Sequence, residues 1–227
     1  MSFSTIATDY DGTLAEYGHA DERALKALQE WCAGGGRVIL ITGRELASLQ
    51  SVCAELELFE LVVAENGAVL YFPATGEERP LASPPPQTFV QRLRDSCVQP
   101  LSVGRCIVAT EAAQEPAIMS AIHELRLKWS IIHNRESVMA LPRGVDKASG
   151  LSAALAELDI SAKQVIGIGD GENDLAFLDM CGYSVAVANA VPQLKRAVDL
   201  VTRGTSGAGV VDAVHHLLSS PETKQRT

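Results

Sequence analysis

Long apolar runs are missing from this chain. None reaches the ~18 residues that a transmembrane helix needs, which excludes that class of membrane protein. The N-terminus lacks a basic stretch followed by an apolar segment, so no secretory leader is visible and the cytoplasm is the expected compartment. Cysteine is sparse and scattered: Cys32, Cys53, Cys97, Cys106 and Cys181 include no C-x-x-C pair. An odd number of isolated thiols excludes a disulfide framework and a structural zinc site, and leaves them as small buried hydrophobes. Cations are in deficit, with 19 Lys and Arg against 28 Asp and Glu, a net charge of -9. That is the opposite of the basic footprint of a duplex-binding protein, so no nucleic-acid partner is expected. No internal repeat is present either.

What remains is an ordinary globular composition, 47% hydrophobic and 21% charged, in 227 residues. This length suits one sizeable domain or a domain with an insert. Strand-like and helical runs alternate. The run Phe3–Thr8 predicts a buried strand, and Asp21 predicts the cap of a helix ending at Cys32 before Gly34-Gly35-Gly36. A second strand follows over Arg37–Thr42, a helix over Glu45–Leu58, and a third strand over Leu61–Ala64. Such alternation predicts a parallel sheet with helices on both faces.

The pattern breaks over Tyr71–Pro86, where prolines predict a stiff boundary without regular structure. Beyond it come a helix from Gln87 to about Gln99, a strand over Gly104–Ala109, and a helix over Gln114–Lys128. Two strands then follow, Ser130–His133 and Ser137–Leu141, with a turn at Asn134-Arg135; so short a connection makes them antiparallel. From 76 to 143 there are eight Lys and Arg against seven Asp and Glu, while the rest of the chain carries eleven against twenty-one. The near-neutral insert would therefore favour an anion better than the acidic remainder. Alternation resumes with a helix from Asp146 to Leu158, the strand Gln164–Ile168, a helix from Glu172 and the strand Tyr183–Ala188. A short helix after Pro192, the strand Asp199–Thr202 and a helix from Ala208 complete it, ahead of a polar tail, Pro221–Thr227.

Four stations fall at strand ends or helix starts, where an open α/β sheet binds its ligands. The first is the acidic pair Asp9 and Asp11 in Asp9-Tyr10-Asp11-Gly12-Thr13. The second is Thr42-Gly43-Arg44, where a hydroxyl and a backbone amide suit a phosphate oxygen at a helix start. The third is Lys147, placed against the dipole of its own helix. The fourth is Gly169-Asp170-Gly171-Glu172-Asn173-Asp174, whose carboxylates add to the first pair as oxygen ligands for Mg²⁺. The third glycine of a dinucleotide-binding G-x-G-x-x-G is missing there.

Together, in this order, the motifs DYDGT, ITGR, Lys147 and GDGENDLAFL resemble the haloacid dehalogenase superfamily of phosphatases. The resemblance covers the whole chain. It is similar to the Cof-like class IIB group, which includes sucrose-phosphate phosphatases and archaeal-type phosphoglycolate phosphatases. Glu65-Asn66-Gly67-Ala68 and Val187-Ala188-Asn189-Ala190 match the same group. The fold so implied is α/β: a doubly wound, mostly parallel Rossmann-like core, residues 1–79 and 143–227, carrying an inserted small α+β cap of the C2 type, residues 80–142.

The resemblance also implies roles. Asp9 would be the nucleophile that forms an aspartyl-phosphate, and Asp11 the general acid and base. Asp9, the Asp11 backbone carbonyl and Asp170 would hold Mg²⁺, with Asp174 positioning Lys147 or a metal-bound water. Thr42 and Lys147 would hold the transferring phosphoryl group, and Gly43, Arg44, Asn66, Asn173, Asn189 and Arg143 would lie around the substrate. Thr13 would brace the loop. The expected substrate is a small phosphorylated metabolite, and the cap would choose it. A phosphosugar mutase of the same fold would differ by requiring a bisphosphate activator. A receiver-like phospho-acceptor domain has no such insert and places its acceptor aspartate after a later strand. A catalytically idle interaction domain would not need the complete motif set.

Overall fold

A computed structural model describes residues 3–134 and 137–219. Along the chain, β1 (Thr5–Asp9) leads into a small hairpin, β2 (Ala15–Glu16) and β3 (His19–Ala20), and then α1 (Glu22–Ala33). Next come β4 (Arg37–Ile41), α2 (Leu46–Val52), β5 (Leu61–Ala64), β6 (Val69–Phe72) and β7 (Glu77–Pro80). The insert supplies α3 (Gln87–Asp95), β8 (Ser102–Val103), β9 (Val108–Glu111), α4 (Glu115–Glu124), β10 (Trp129–Asn134) and β11 (Ser137–Pro142). The chain returns through α5 (Lys147–Glu157), β12 (Val165–Gly169), α6 (Leu175–Met180), β13 (Tyr183–Ala186), α7 (Pro192–Lys195), β14 (Leu200–Val201) and α8 (Ser206–Ser219).

The main sheet has the order β14-β13-β12-β1-β4-β5-β6-β7, parallel from β14 to β5 and antiparallel at β6 and β7. Its inner strands β4, β5 and β12 are mostly apolar and buried because both faces are covered, whereas the edge strand β7 is charged and exposed. Successive side chains point to opposite faces. Ile6, Val38, Leu40, Val62 and Ile166 thus pack with Leu28 and Trp31 of α1 and Val210 and Val214 of α8. Ala7, Ile39, Ile41, Val63 and Val165 pack with Leu151 and Leu155 of α5 and Phe177 of α6. From β1 the chain winds outward to β4 on one side, and from β12 to β13 on the other. The crevice between the C-terminal ends of β1 and β12 is therefore the topological switch point.

The insert forms a second, antiparallel sheet of order β10-β11-β9-β8. Val138 and Ala140 of β11 face α3 and α4, packing with Phe89, Leu93 and Ile118. The alternate residues Met139 and Leu141 join the cluster of the main core. This is the α/β architecture with an α+β cap that the motifs imply.

Two expectations are corrected. The stretch Tyr71–Pro86 is not all irregular: β6 and β7 form a hairpin on the edge of the main sheet. Pro80 ends the outermost strand, opposite Val69, and an edge is where a strand accepts proline. The helix expected over Glu45–Leu58 stops at Val52 and is followed by a separate 3₁₀ turn, Leu56–Leu58. The Tyr10 hydroxyl donates to Val52 O (3.4 Å), satisfying a carbonyl left open at the helix end. Arg135 of the expected turn and the tail Pro221–Thr227 lie outside the described residues. Among the described residues no helix is long and apolar enough to cross a membrane.

The turn after β5 meets the start of α5 at close range. A Cβ on Gly150 would stand 2.4 Å from Gly67 Cα and 2.5 Å from Val63 Cγ1. Alanine is favoured over glycine in a helix by about 1 kcal/mol. Here the forced separation of α5 from β5 outweighs that gain. Gly150→Ala is expected to lower stability by about 1–3 kcal/mol in urea denaturation, where propensity alone predicts an increase.

Candidate active site

Asp9 is the last residue of β1, and Asp170 follows β12 directly, so the two carboxylates face each other across the switch point. Asp174 lies one turn further on, and Lys147 opens α5. All four are buried, at 4%, 3%, 0% and 2% exposure. Lys147 Nζ donates to Asp9 Oδ1 and to Asp174 Oδ1, both at 2.6 Å. The second oxygen of Asp174 accepts from the Asp170 and Gly171 amides (2.9 and 2.8 Å). Thr13 Oγ1 donates to Asp170 Oδ1 at 3.0 Å, the bracing expected of it.

Burial raises the Asp9 carboxyl well above the usual carboxylate range; Lys147 pulls it down, but Asp174 and Asp170 add to the rise. Burial would discharge Lys147, yet the carboxylates of Asp174 and Asp9 outweigh it and hold the ammonium charged. Asp9, Asp170 and Asp174 each offer an oxygen within 4.8 Å of the others. Three carboxylates against one ammonium leave an excess of two negative charges. An all-oxygen set with that excess fits a hard dication such as Mg²⁺.

The second station lies beside this cluster. Thr42 is fully buried and its Oγ1 accepts from the Arg44 amide at 3.1 Å, with half-buried Gly43 between them. Arg44 was expected near the substrate. Its guanidinium grips both oxygens of Asp11, from Nε and a terminal nitrogen, each at 2.7 Å. Asn66 Oδ1 accepts from Asn173 Nδ2 at 3.2 Å, which joins the third strand's turn to the acidic loop. Asn189 Nδ2 donates to Gly12 O (2.8 Å), and its oxygen accepts from the Ser206 amide (2.7 Å). It therefore ties the Asp9–Thr13 loop to the start of α8. Arg143 is exposed where the insert rejoins the core, with its backbone N–H on Lys128 O (2.9 Å).

Sequence reasoning assigned nothing to Glu65 or Tyr10. Glu65 is buried at 1% exposure and accepts from the Arg105 and Cys106 amides of the cap (2.8 and 2.7 Å). Burial pushes its carboxyl up, and those amides oppose the rise. Tyr10 donates to Gly18 O (3.1 Å) and stands under Arg44, 5.6 Å from ring centroid to guanidinium carbon. The hydrogen bonds of both go to backbone partners, so their roles have no signature in the motifs that contain them.

The buried charges make opposite stability predictions. Asp9 has a higher pKa folded than unfolded, so its ionisation opposes the metal-free fold. That cost is absent below the ordinary carboxylate pKa of about 4 and grows as pH rises toward the folded value. Asp9→Asn is therefore expected to raise the thermal midpoint of the metal-free protein at pH 7, with the gain vanishing by about pH 4. Lys147→Met leaves Asp9 and Asp174 buried without their cation. It is expected to cost about 3–5 kcal/mol in urea denaturation at neutral pH.

Comparison with known proteins identifies the family of the chain. The profile of the haloacid dehalogenase-like hydrolases matches residues 6–99 and 104–214. A phosphoglycolate phosphatase of Haloarcula marismortui is 30% identical over 219 residues, spanning 92% of this chain and 95% of the relative. A haloacid dehalogenase-like hydrolase from Bacteroides thetaiotaomicron superposes with a TM-score of 0.83 at 21% identity, covering 95% of this chain and 100% of the other. A subclass IIB sugar phosphatase superposes with a TM-score of 0.74 at 18% identity, covering 94% and 98%. With a profile matched along nearly its whole length and a relative matched almost end to end, the chain belongs to the haloacid dehalogenase-like hydrolase family, among its phosphatases.

Proposed function

We propose that the protein is a cytoplasmic, Mg²⁺-dependent phosphomonoesterase that hydrolyses a small soluble organic phosphate through an aspartyl-phosphate on Asp9. The observation that carries this reading is the buried Lys147 ammonium bridging Asp9 and Asp174 beside Asp170. Asp9 Oδ1 is held by Lys147, and the other oxygen is the one proposed as nucleophile. Asp11 is the general acid and then the base that activates water, a role that requires Arg44 to release its carboxylate. Lys147, the Thr42 hydroxyl and the amides after it hold the phosphoryl oxygens.

Asp9, the Asp11 carbonyl and Asp170 would hold the metal. Asp174 has one oxygen on Lys147 and the other on two amides, which supports a positioning role for it over direct ligation. When bound, Mg²⁺ neutralises charge so that an anionic nucleophile can approach an anionic phosphate. Asn66, Asn173, Asn189, Arg44 and Arg143 border the substrate space, and residues 80–142 act as the cap that sets substrate choice. The relatedness to phosphoglycolate phosphatases supports phosphoglycolate as the first compound to test, with sugar phosphates next.

A panel of phosphorylated metabolites assayed with Mg²⁺ tests the reading. Turnover is expected to stop in excess EDTA, to return with Mg²⁺, and to return poorly with Ca²⁺, whose larger coordination sphere recruits more oxygens and would occupy both of Asp9. Full turnover of a small aryl phosphate in EDTA would sink the proposal. Asp9→Asn is expected to lower kcat by roughly 10⁴-fold or more while keeping a cooperative unfolding transition. Retained wild-type kcat in a clean preparation would remove Asp9 as the nucleophile.

A further inference from the structure

Glu65, Asn66 and Gly67 follow one another at φ of 52°, 55° and 102°. Side chains at positive φ persist only where their surroundings over-determine them. Here the surroundings press from two sides.

From the cap, the 104–106 backbone sits directly on the Glu65 carboxylate, each oxygen taking one amide. A Cβ on Gly104 would stand 2.6 Å from Glu65 Oε1, so a larger residue there would displace the carboxylate from its two amides. Asn66 Nδ2 also reaches Met139 Sδ of β11, at 3.5 Å. From the catalytic floor, the Glu65 and Asn66 amides donate to Arg44 O and Thr42 O (2.9 and 3.0 Å). Asn66 meets Asn173 through its side-chain oxygen. Gly67 abuts the start of α5, where a Cβ would stand 1.9 Å from Asp146 O, one residue before Lys147.

The choice of an acid at position 65 also needs a reason. A buried carboxylate is costly without compensation. The guanidinium nearest in sequence to the contact, that of Arg105, turns away to Glu78 at 2.7 Å. What the carboxylate does supply is two acceptor oxygens for two adjacent amides, which an amide side chain of the same shape cannot match.

We propose that Glu65 is a positioning residue that seats the cap and, through the turn it belongs to, transmits that seating to Lys147. A residue that only fastened the cap would, on removal, loosen 104–106 and leave α5 untouched. A residue that transmits the seating would loosen both together. The kinetic part of this inference rests on the phosphatase reading, whereas the exchange part does not.

The test uses the full-length Mg²⁺-loaded protein with Glu65→Gln and, from the cap side, Gly104→Ala. The second variant keeps Glu65 intact and changes a cap residue whose added Cβ would meet Glu65 first. Amide hydrogen exchange is followed over 104–108 and over 146–152, the first turns of α5. Both segments are expected to exchange several-fold faster in both variants. The kcat for a small aryl phosphate is expected to fall about tenfold with KM nearly unchanged, since a shifted Lys147 impairs the step but not the encounter. Faster exchange confined to 104–108 with wild-type kcat, or wild-type exchange in both segments, would overturn the proposal. A wild-type protein without turnover that still shows the coupled exchange would instead remove the phosphatase reading and leave the coupling in place.

Discussion

A lysine ammonium taken out of water at the start of a helix is opposed twice, by desolvation and by the helix dipole. Lys147 survives there because Asp9 and Asp174 each meet it at 2.6 Å. Those carboxylates are equally dependent on it, since each is buried beside other acids. The arrangement leans on the lysine, because without it the buried acids keep no cation. To close it, the end of β1, the start of α5 and the loop after β12 must all reach one point. The lysine that joins these three elements is thereby part of the core as well as of the candidate site. The charge excess that the network leaves behind is what makes a dication welcome.

Strands covered on both faces, such as Arg37–Ile41 and Val165–Gly169, appear as unbroken apolar runs, and the acids and glycines after them mark the switch point. Helix ends were harder to place. Runs expected to reach Gln99 and Lys128 stop at Asp95 and Glu124. They are closed by Cys97 and Arg126 at φ of 56° and 51°, where the usual marker would be glycine. The bonds of a Schellman cap are nonetheless present, from Val98 N to Leu93 O (3.1 Å) and from Leu127 N to Ile122 O (2.9 Å). Hydrophobic contact at each end substitutes for the missing sequence signal.

Among the site residues, Asp9, Asp170, Asp174 and Lys147 were legible because their types and spacing suit the chemistry. The partnership of Arg44 with Asp11 was not, because a cation after a strand suits a phosphate as well as it suits a neighbouring acid. Glu65 was silent for a different reason. Its partners are backbone amides brought down by the cap, and any residue other than proline can supply an amide.

The pairing of β1 with β12 carries a consequence for how the protein comes into being. Residues 5–8 hydrogen-bond with residues 165–168, and Lys147 is 138 positions from Asp9. Contacts so distant in sequence must meet the entropy of closing a long loop before they return any stability, which makes such folds slow to form. While the chain is being synthesised, β1 and β4 can pair, but the flank of β1 waits open until β12 emerges. Throughout that interval Asp9 has neither its lysine nor its acidic neighbours. A shortened product that ends before residue 147 would carry Asp9-Tyr10-Asp11-Gly12-Thr13 intact and still lack the lysine and the acids that meet it.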